Sequence, residues 1–161
     1  MRVICPGSYD PVTNGHLDII TRAAGIFDRV VVGVANNPVR KAGTLFSGEE
    51  RCRFIEEATA DLENVDVELF AELLVEFARK HDASAVVKGL RAISDFEYEF
   101  EMAQLNRLLA AEIESIYIIA SPNYSFLSST GVKELATFGG DVSELVPSSV
   151  ARALAERVGT R

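Results

Sequence analysis

The chain is short of several things, and each shortage removes a class of function. Only two cysteines occur, Cys5 in an expected strand and Cys52 in an expected helix, so there is no disulfide framework. Basic residues are outnumbered, 16 Lys and Arg against 24 Asp and Glu, and the net charge of −8 argues against nucleic acid or an anionic membrane as the main partner. No apolar run approaches the length of a membrane span, and the first residues lack a basic-then-apolar leader pattern. With the cysteine usage, this makes a cytoplasmic location the expectation. Neither G-x-G-x-x-G nor G-x-x-x-x-G-K-[ST] is present. No repeat, low-complexity tract or linker divides the 161 residues, so residues 1–161 are expected to form one domain, burying roughly 70% of the unfolded surface.

What is there reads as alternating strands and helices. Val30-Val31-Val32-Gly33-Val34-Ala35 has the unbroken β-branched character of a strand buried on both faces, and 65–69, 85–87 and 115–119 look similar though shorter. With the apolar run at Val3-Ile4-Cys5 they make five strands. Helical patterns lie between them at about 16–27, 47–60, 72–81 and 95–111, and two more close the chain near 129–137 and 147–157. Five buried strands separated by helices imply an α/β protein: a doubly wound parallel sheet with helices on both faces, Rossmann-like, followed by C-terminal helices. In such sheets a ligand sits beyond the carboxyl ends of the strands where the strand order reverses, so the loops after the first and fourth strands are expected to flank the site.

Those loops are unusual. The first, Pro6-Gly7-Ser8-Tyr9-Asp10-Pro11-Val12-Thr13-Asn14-Gly15-His16, delivers a hydroxyl, backbone N–H groups and an imidazole to a helix start, where unpaired donors and partial positive charge favour phosphate. The second is Lys88-Gly89-Leu90-Arg91. A lysine directly after a buried strand is expected to emerge at the sheet's end, Gly89 admits close backbone approach, and Arg91 adds a fork of donors. Asp95 and Glu97 behind it read as a charged first helical turn. The third, Tyr124-Ser125-Phe126-Leu127-Ser128-Ser129-Thr130, opens a helix with hydroxyls and free N–H groups pointing outward together. A fourth stretch after the second strand carries Arg40 and Lys41 as a basic arm. An acidic protein can bind a polyphosphate only by gathering its cations in this way.

Together these residues resemble the phosphopantetheine adenylyltransferase family. Thr13-Asn14-Gly15-His16 fits the T/H-x-G-H signature of the nucleotidyltransferase superfamily, and Leu127-Ser128-Ser129-Thr130 fits its serine-rich second signature. The more specific part is Gly89-Leu90-Arg91 followed by Asp95-Phe96-Glu97-Tyr98-Glu99, together with Pro6-Gly7-Ser8-Tyr9-Asp10-Pro11. The resemblance implies adenylyl transfer from ATP, with Mg2+, to 4′-phosphopantetheine, giving dephospho-coenzyme A and pyrophosphate, with coenzyme A as an inhibitor. It makes His16 the transition-state stabiliser and puts Lys88 and Arg40 on the incoming phosphate. Ser8 falls between the substrates and Tyr9 on ATP; Gly89, Leu90, Arg91, Glu99, Tyr124, Ser125, Phe126, Leu127, Ser128, Ser129 and Thr130 also fall on ATP, and Leu74 on the pantetheine arm. It names no protein ligand for the metal. Lys88 stands where many relatives carry Arg, and Arg40 and Lys41 compete for one position.

The chemistry agrees with the residue types. A phosphate monoester nucleophile is already anionic, so positioning and charge stabilisation can suffice without a general base. The family also assembles as a homohexamer, a dimer of trimers. In the 95–111 helix, Phe96, Phe100 and Ala103 form one apolar stripe and Tyr98, Met102, Leu105 and Leu109 another, which calls for two packing partners. The alternatives are another small nucleotidyltransferase, lacking the segment from Gly89 to Glu99, and a non-enzymatic flavodoxin-like or nucleotide-sensing module on the same sheet.

Overall fold

The computed structural model describes residues 1–36 and 43–158. Five strands, β1 (Arg2–Gly7), β2 (Arg29–Ala35), β3 (Val65–Phe70), β4 (Ala85–Leu90) and β5 (Glu114–Ile119), form one sheet in the order β3-β2-β1-β4-β5. Every neighbouring pair is parallel. The order reverses between β1 and β4, as the alternation of elements predicted.

The strand period of two divides the core. Val3, Cys5, Val30, Val32, Val34, Ala85 and Val87 face one side of the sheet. There they pack with α1 (Asn14–Ile26), α2 (Gly48–Ala58), α5 (Ser129–Thr137) and α6 (Ser148–Val158) through Ile20, Phe54, Ile55, Val132, Val150 and Leu154. Ile4, Val31 and Val86 face the other side, against Val75, Phe77 and Ala78 of α3 (Leu74–Lys80). On that side also runs α4 (Ile93–Leu109), of which no described side chain is buried.

Helix ends follow local chemistry. Ser47 and Glu50 form a reciprocal capping box at α2, with Glu50 N donating to Ser47 Oγ and Ser47 N to Glu50 Oε2. At the end of α5, Gly139 has φ +77°, its N–H reaches Ala136 O and the Gly140 N–H reaches Leu135 O. That Schellman ending makes the Gly139-Gly140 turn that leads the chain toward α6.

Two boundaries move. α4 starts at Ile93, two residues before the expected position, because Asp95 lies inside the first turn and folds its carboxylate back onto the Arg91 N–H at 3.3 Å. β4 is longer than expected. Lys88 does not leave the sheet; it pairs with Tyr117, and the ladder to β5 runs on through Gly89 and Leu90. On its other edge β4 pairs with β1 only at Val3–Ala85 and Ile4–Val86. Beyond those residues the two strands part, and the gap between them is the crevice.

Candidate active site

The crevice at the β1/β4 divergence holds a cavity of about 390 Å³. Of the predicted site residues, Ser8, Tyr9, His16, Lys88, Gly89, Arg91, Glu99, Tyr124 and Leu127 line it. Leu90, Ser125, Phe126, Ser128, Ser129 and Thr130 adjoin it in sequence without lining it. Leu74 lies at the start of α3, packed partly against the core on the far face, and Leu73 beside it is exposed. Arg40 and Lys41 lie outside the described residues.

His16 is built into the helix start. Thr13 is the N-cap of α1, its Oγ1 accepting from His16 N at 3.4 Å, while the Thr13 N–H donates to His16 Nδ1 at 3.0 Å. This is a capping box with an imidazole in place of the usual carboxylate or amide. An Nδ1 that accepts a hydrogen bond carries no proton, so the neutral ring holds its hydrogen on Nε2. The ring meets the Tyr9 ring edge-on, centroids 5.1 Å apart. Burial first, and the Arg91 charge second, push its pKa down to about 4. At neutral pH His16 therefore lines the crevice as an uncharged Nε2–H donor.

The cations are held by carboxylates. Lys88 Nζ donates to both oxygens of Glu99, at 2.7 and 3.0 Å. Arg91 Nε donates to Asp95 Oδ2 at 3.1 Å, and its Nη1 to the Leu127 carbonyl. Arg91 thus ties the end of β4 to the third loop. The four charged side chains of the lining among the described residues, Lys88, Arg91, Asp95 and Glu99, cancel. Backbone donors must then carry much of any anion binding. At α5 the Ser128 Oγ accepts from the Gly131 N–H, and the Ser129 Oγ donates to the Pro11 carbonyl at 2.8 Å. Those two hydroxyls brace the loops instead of pointing freely outward, which leaves the Ser129 and Thr130 N–H groups of the first turn as the donors on offer.

Two glycines of the crevice lining are set by close approach. A Cβ on Gly7 would lie 2.9 Å from the Tyr9 ring, and one on Gly89 would lie 2.9 Å from Ile19 Cγ1 of α1. Gly89 therefore admits the helix that carries His16, as well as facing the cavity.

Sequence reasoning overlooked the residues that hold these loops. The buried Asp10 carboxylate accepts from the Leu45 and Phe46 N–H groups, both at 2.9 Å, and pairs with Lys133 Nζ at 3.1 Å. Arg51 is fully buried on α2. Its place in the Arg51, Phe54, Ile55 stripe, the spacing of a buried helix face, was the available signal. Asp95 and Tyr98 also line the crevice. Asp95 is thus more than the surface charge its place in a helical first turn suggested.

A parallel sheet with a crevice at its switch point and a histidine capping the first helix make a doubly wound α/β domain with a site suited to an anionic ligand. The Cytidylyltransferase-like family model matches residues 4–135, and two solved structures share the fold. A putative nicotinate-nucleotide adenylyltransferase from Vibrio parahaemolyticus aligns over 96% of this chain and 91% of its own, with TM-score 0.67 at 15% identity. A bifunctional NMN adenylyltransferase/ADP ribose pyrophosphatase from Francisella tularensis aligns over 99% of this chain and 50% of its own, with TM-score 0.69 at 18% identity. The protein is a nucleotidyltransferase. Among curated relatives, the phosphopantetheine adenylyltransferase of Rubrobacter xylanophilus is 58% identical over 91% of this chain and 88% of its own. Those of Caldanaerobacter subterraneus and Streptomyces coelicolor are each 52% identical over at least 98% of both chains. The chain belongs to the phosphopantetheine adenylyltransferase family.

Proposed function

We infer that the protein transfers the adenylyl group of ATP to 4′-phosphopantetheine, releasing pyrophosphate and forming dephospho-coenzyme A, a step of coenzyme A biosynthesis. The observation that carries the mechanistic reading is the fixed tautomer of His16. A neutral Nε2–H donor at a helix N-terminus suits the charge that builds on the α-phosphate oxygens during in-line attack. The attacking phosphate is already anionic, so no base is needed and no covalent intermediate forms. Lys88 and Arg40 bind that incoming phosphate, and Ser8 stands between the two substrates. Tyr9 and His16, with Gly89, Leu90, Arg91 and Glu99 and the segment Tyr124, Ser125, Phe126, Leu127, Ser128, Ser129 and Thr130, hold ATP. Leu74 faces the pantetheine arm.

Mg2+ enters with ATP, as part of that substrate. Among the described residues no three His, Cys, Asp or Glu side chains stand together as a metal cage. The two crevice carboxylates are engaged by Arg91 and Lys88. The protein works as a single-domain cytoplasmic enzyme with coenzyme A as an inhibitor. No helix among the described residues is long and apolar enough to cross a membrane.

The enzyme assembles as a homohexamer. Supporting this, α4 leaves Phe96, Phe100, Leu105, Leu108 and Leu109 exposed, Leu108 at 83%. Light scattering on the parent and on Leu108→Glu tests it: a hexamer that the substitution shrinks is expected, and a monomeric parent at micromolar concentration refutes it. The activity itself is tested by pyrophosphate release from MgATP with 4′-phosphopantetheine, nicotinamide mononucleotide or glycerol 3-phosphate offered separately, the last repeated with CTP. Turnover with the first alone is expected; turnover with another acceptor reassigns the substrate.

A further inference from the structure

Arg51 is the largest of the fully buried side chains, at 1% exposure. Its described hydrogen bonds all go to backbone carbonyls. Nη1 donates to Ser8 O at 2.5 Å and Ala35 O at 3.0 Å, and Nε donates to Ser47 O at 3.3 Å. Among the described residues no carboxylate pairs with it. A guanidinium without a counter-ion persists inside a protein only where something offsets its desolvation. The charged side chains of the described crevice lining pair with one another, so these four add little positive field for a triphosphate. Arg51 lies directly behind the first loop and can add to it.

The Ser8–Tyr9 peptide is the link. In a planar trans peptide the C=O and the following N–H point in opposite directions. With the Ser8 carbonyl drawn toward α2 by Arg51, the Tyr9 N–H is turned the other way, and Ser8 and Tyr9 line the crevice. Tyr9 also has φ +48°, a left-handed backbone that persists in a non-glycine residue only where its surroundings enforce it. Three contacts do so: Arg51 on Ser8 O, the Tyr9 hydroxyl donating to Cys5 O at 3.0 Å, and the ring lying against Gly7.

We propose that Arg51 is a positioning residue for the nucleotide phosphates, locking the Ser8–Tyr9 peptide with its N–H toward the crevice and placing its positive charge behind it. The proposal rests on reading Ser8 and Tyr9 as ATP contacts. Titration of MgATP into the intact protein and into Arg51→Lys and Arg51→Gln tests it, with a thermal melt of each. Arg51→Lys keeps the charge without the fork, and Arg51→Gln keeps a donor without the charge. Both are expected to lose ATP affinity by at least about tenfold, the scale of a lost charge-assisted hydrogen bond, with Arg51→Lys losing less. The KM for 4′-phosphopantetheine stays near that of the parent. A folded variant that binds ATP like the parent, or that loses both substrates equally, overturns the proposal. If neither variant folds, amide hydrogen exchange on the parent decides. ATP slows exchange at the Tyr9 N–H if the proposal holds, and an unchanged rate overturns it. A parent that binds no ATP at all would instead refute the reading of the site as an ATP site.

Discussion

His16→Ala separates the two tasks of this imidazole. The variant loses the Nε2–H donor and the Nδ1 acceptor that receives the Thr13 N–H. The first loss falls on the transition state and should lower kcat by about 10²–10³, or about 2.7–4 kcal/mol, the effect of deleting one oxyanion donor. The second falls on the start of α1. Thr13 Oγ1 still caps the helix from its own side, so the stability cost is about 0.5–1 kcal/mol and the variant stays folded. The depressed pKa adds a second, independent readout. At about 4 it leaves the ring roughly 97% neutral at pH 5.5, where an ordinary histidine would be only about 9% neutral. The chain has two histidines, His16 and His81, so imidazole resonances followed by NMR give the His16 titration directly once a His81→Gln variant assigns them. Pyrophosphate release at saturating substrates gives the rate; any acid limb due to the acceptor phosphate is shared by parent and variant. Because the native pKa lies below the unfolded one, the unfolded chain takes up the proton first as pH falls. The stability contribution is therefore full above about pH 6.5 and lost toward pH 4, by at most about 3 kcal/mol, less what solvent at the crevice mouth screens. A His16 ring titrating near 6.5 would refute the reasoning. So would a kcat for His16→Ala close to that of the parent, or an ATP affinity that falls as far as turnover does.

Lys88→Met should raise the KM for the acceptor at least about tenfold and, by leaving the Glu99 carboxylate partly buried and unpaired, lower the unfolding free energy by about 1–3 kcal/mol; steady-state kinetics and urea denaturation check both. Gly89→Ala should destabilise by about 1–3 kcal/mol through the 2.9 Å approach to Ile19 Cγ1, and Ile19→Ala, which removes that atom, should cost less in the Gly89→Ala chain than in the parent; additive melting shifts would refute the contact. Asp10→Ala should cost about 2–4 kcal/mol because it orphans the Leu45 and Phe46 amides, whereas Lys133→Met should cost less, since Lys133 reaches solvent; equal costs would show that the ion pair, not the amides, matters.

The five parallel strands, their cover of helices on both faces and the placing of the crevice after the first and fourth strands were legible because they rest on short-range patterns and a general rule for such sheets. Unbroken Val-rich runs mark strands covered on both sides, and hydroxyls at helix starts mark caps. What escaped depends on contacts between distant segments. Nothing local to Lys88 says that Glu99 will face it from α4, so the sequence reading sent the lysine out of the sheet when the ladder to β5 in fact holds it in place. Likewise Ser129 looks free to bind phosphate until Pro11, 118 residues earlier, is seen to receive its hydroxyl. The partners of Asp10 are likewise distant in sequence, Leu45 and Phe46 from the segment before α2 and Lys133 from α5.

The balance of charge in the crevice bears on how such a site can favour the transition state over the bound substrate. A pocket lined by free cations would hold ATP and pyrophosphate tightly and uniformly, which raises affinity without raising turnover. Here Lys88 and Arg91 are each partnered by a carboxylate, and His16 is neutral. Each of these donors therefore contributes modestly to a ground-state triphosphate. On the roles proposed for them, each gains more as charge moves onto the phosphate oxygens and the departing pyrophosphate, because a preset donor in a partly desolvated crevice strengthens with the charge it faces and needs no reorganisation. Glu99 and Asp95 fix the two cations in place, and on the proposed mechanism they thereby hold ground-state affinity down and leave the rate gain to geometry set by Thr13, Glu99 and Asp95.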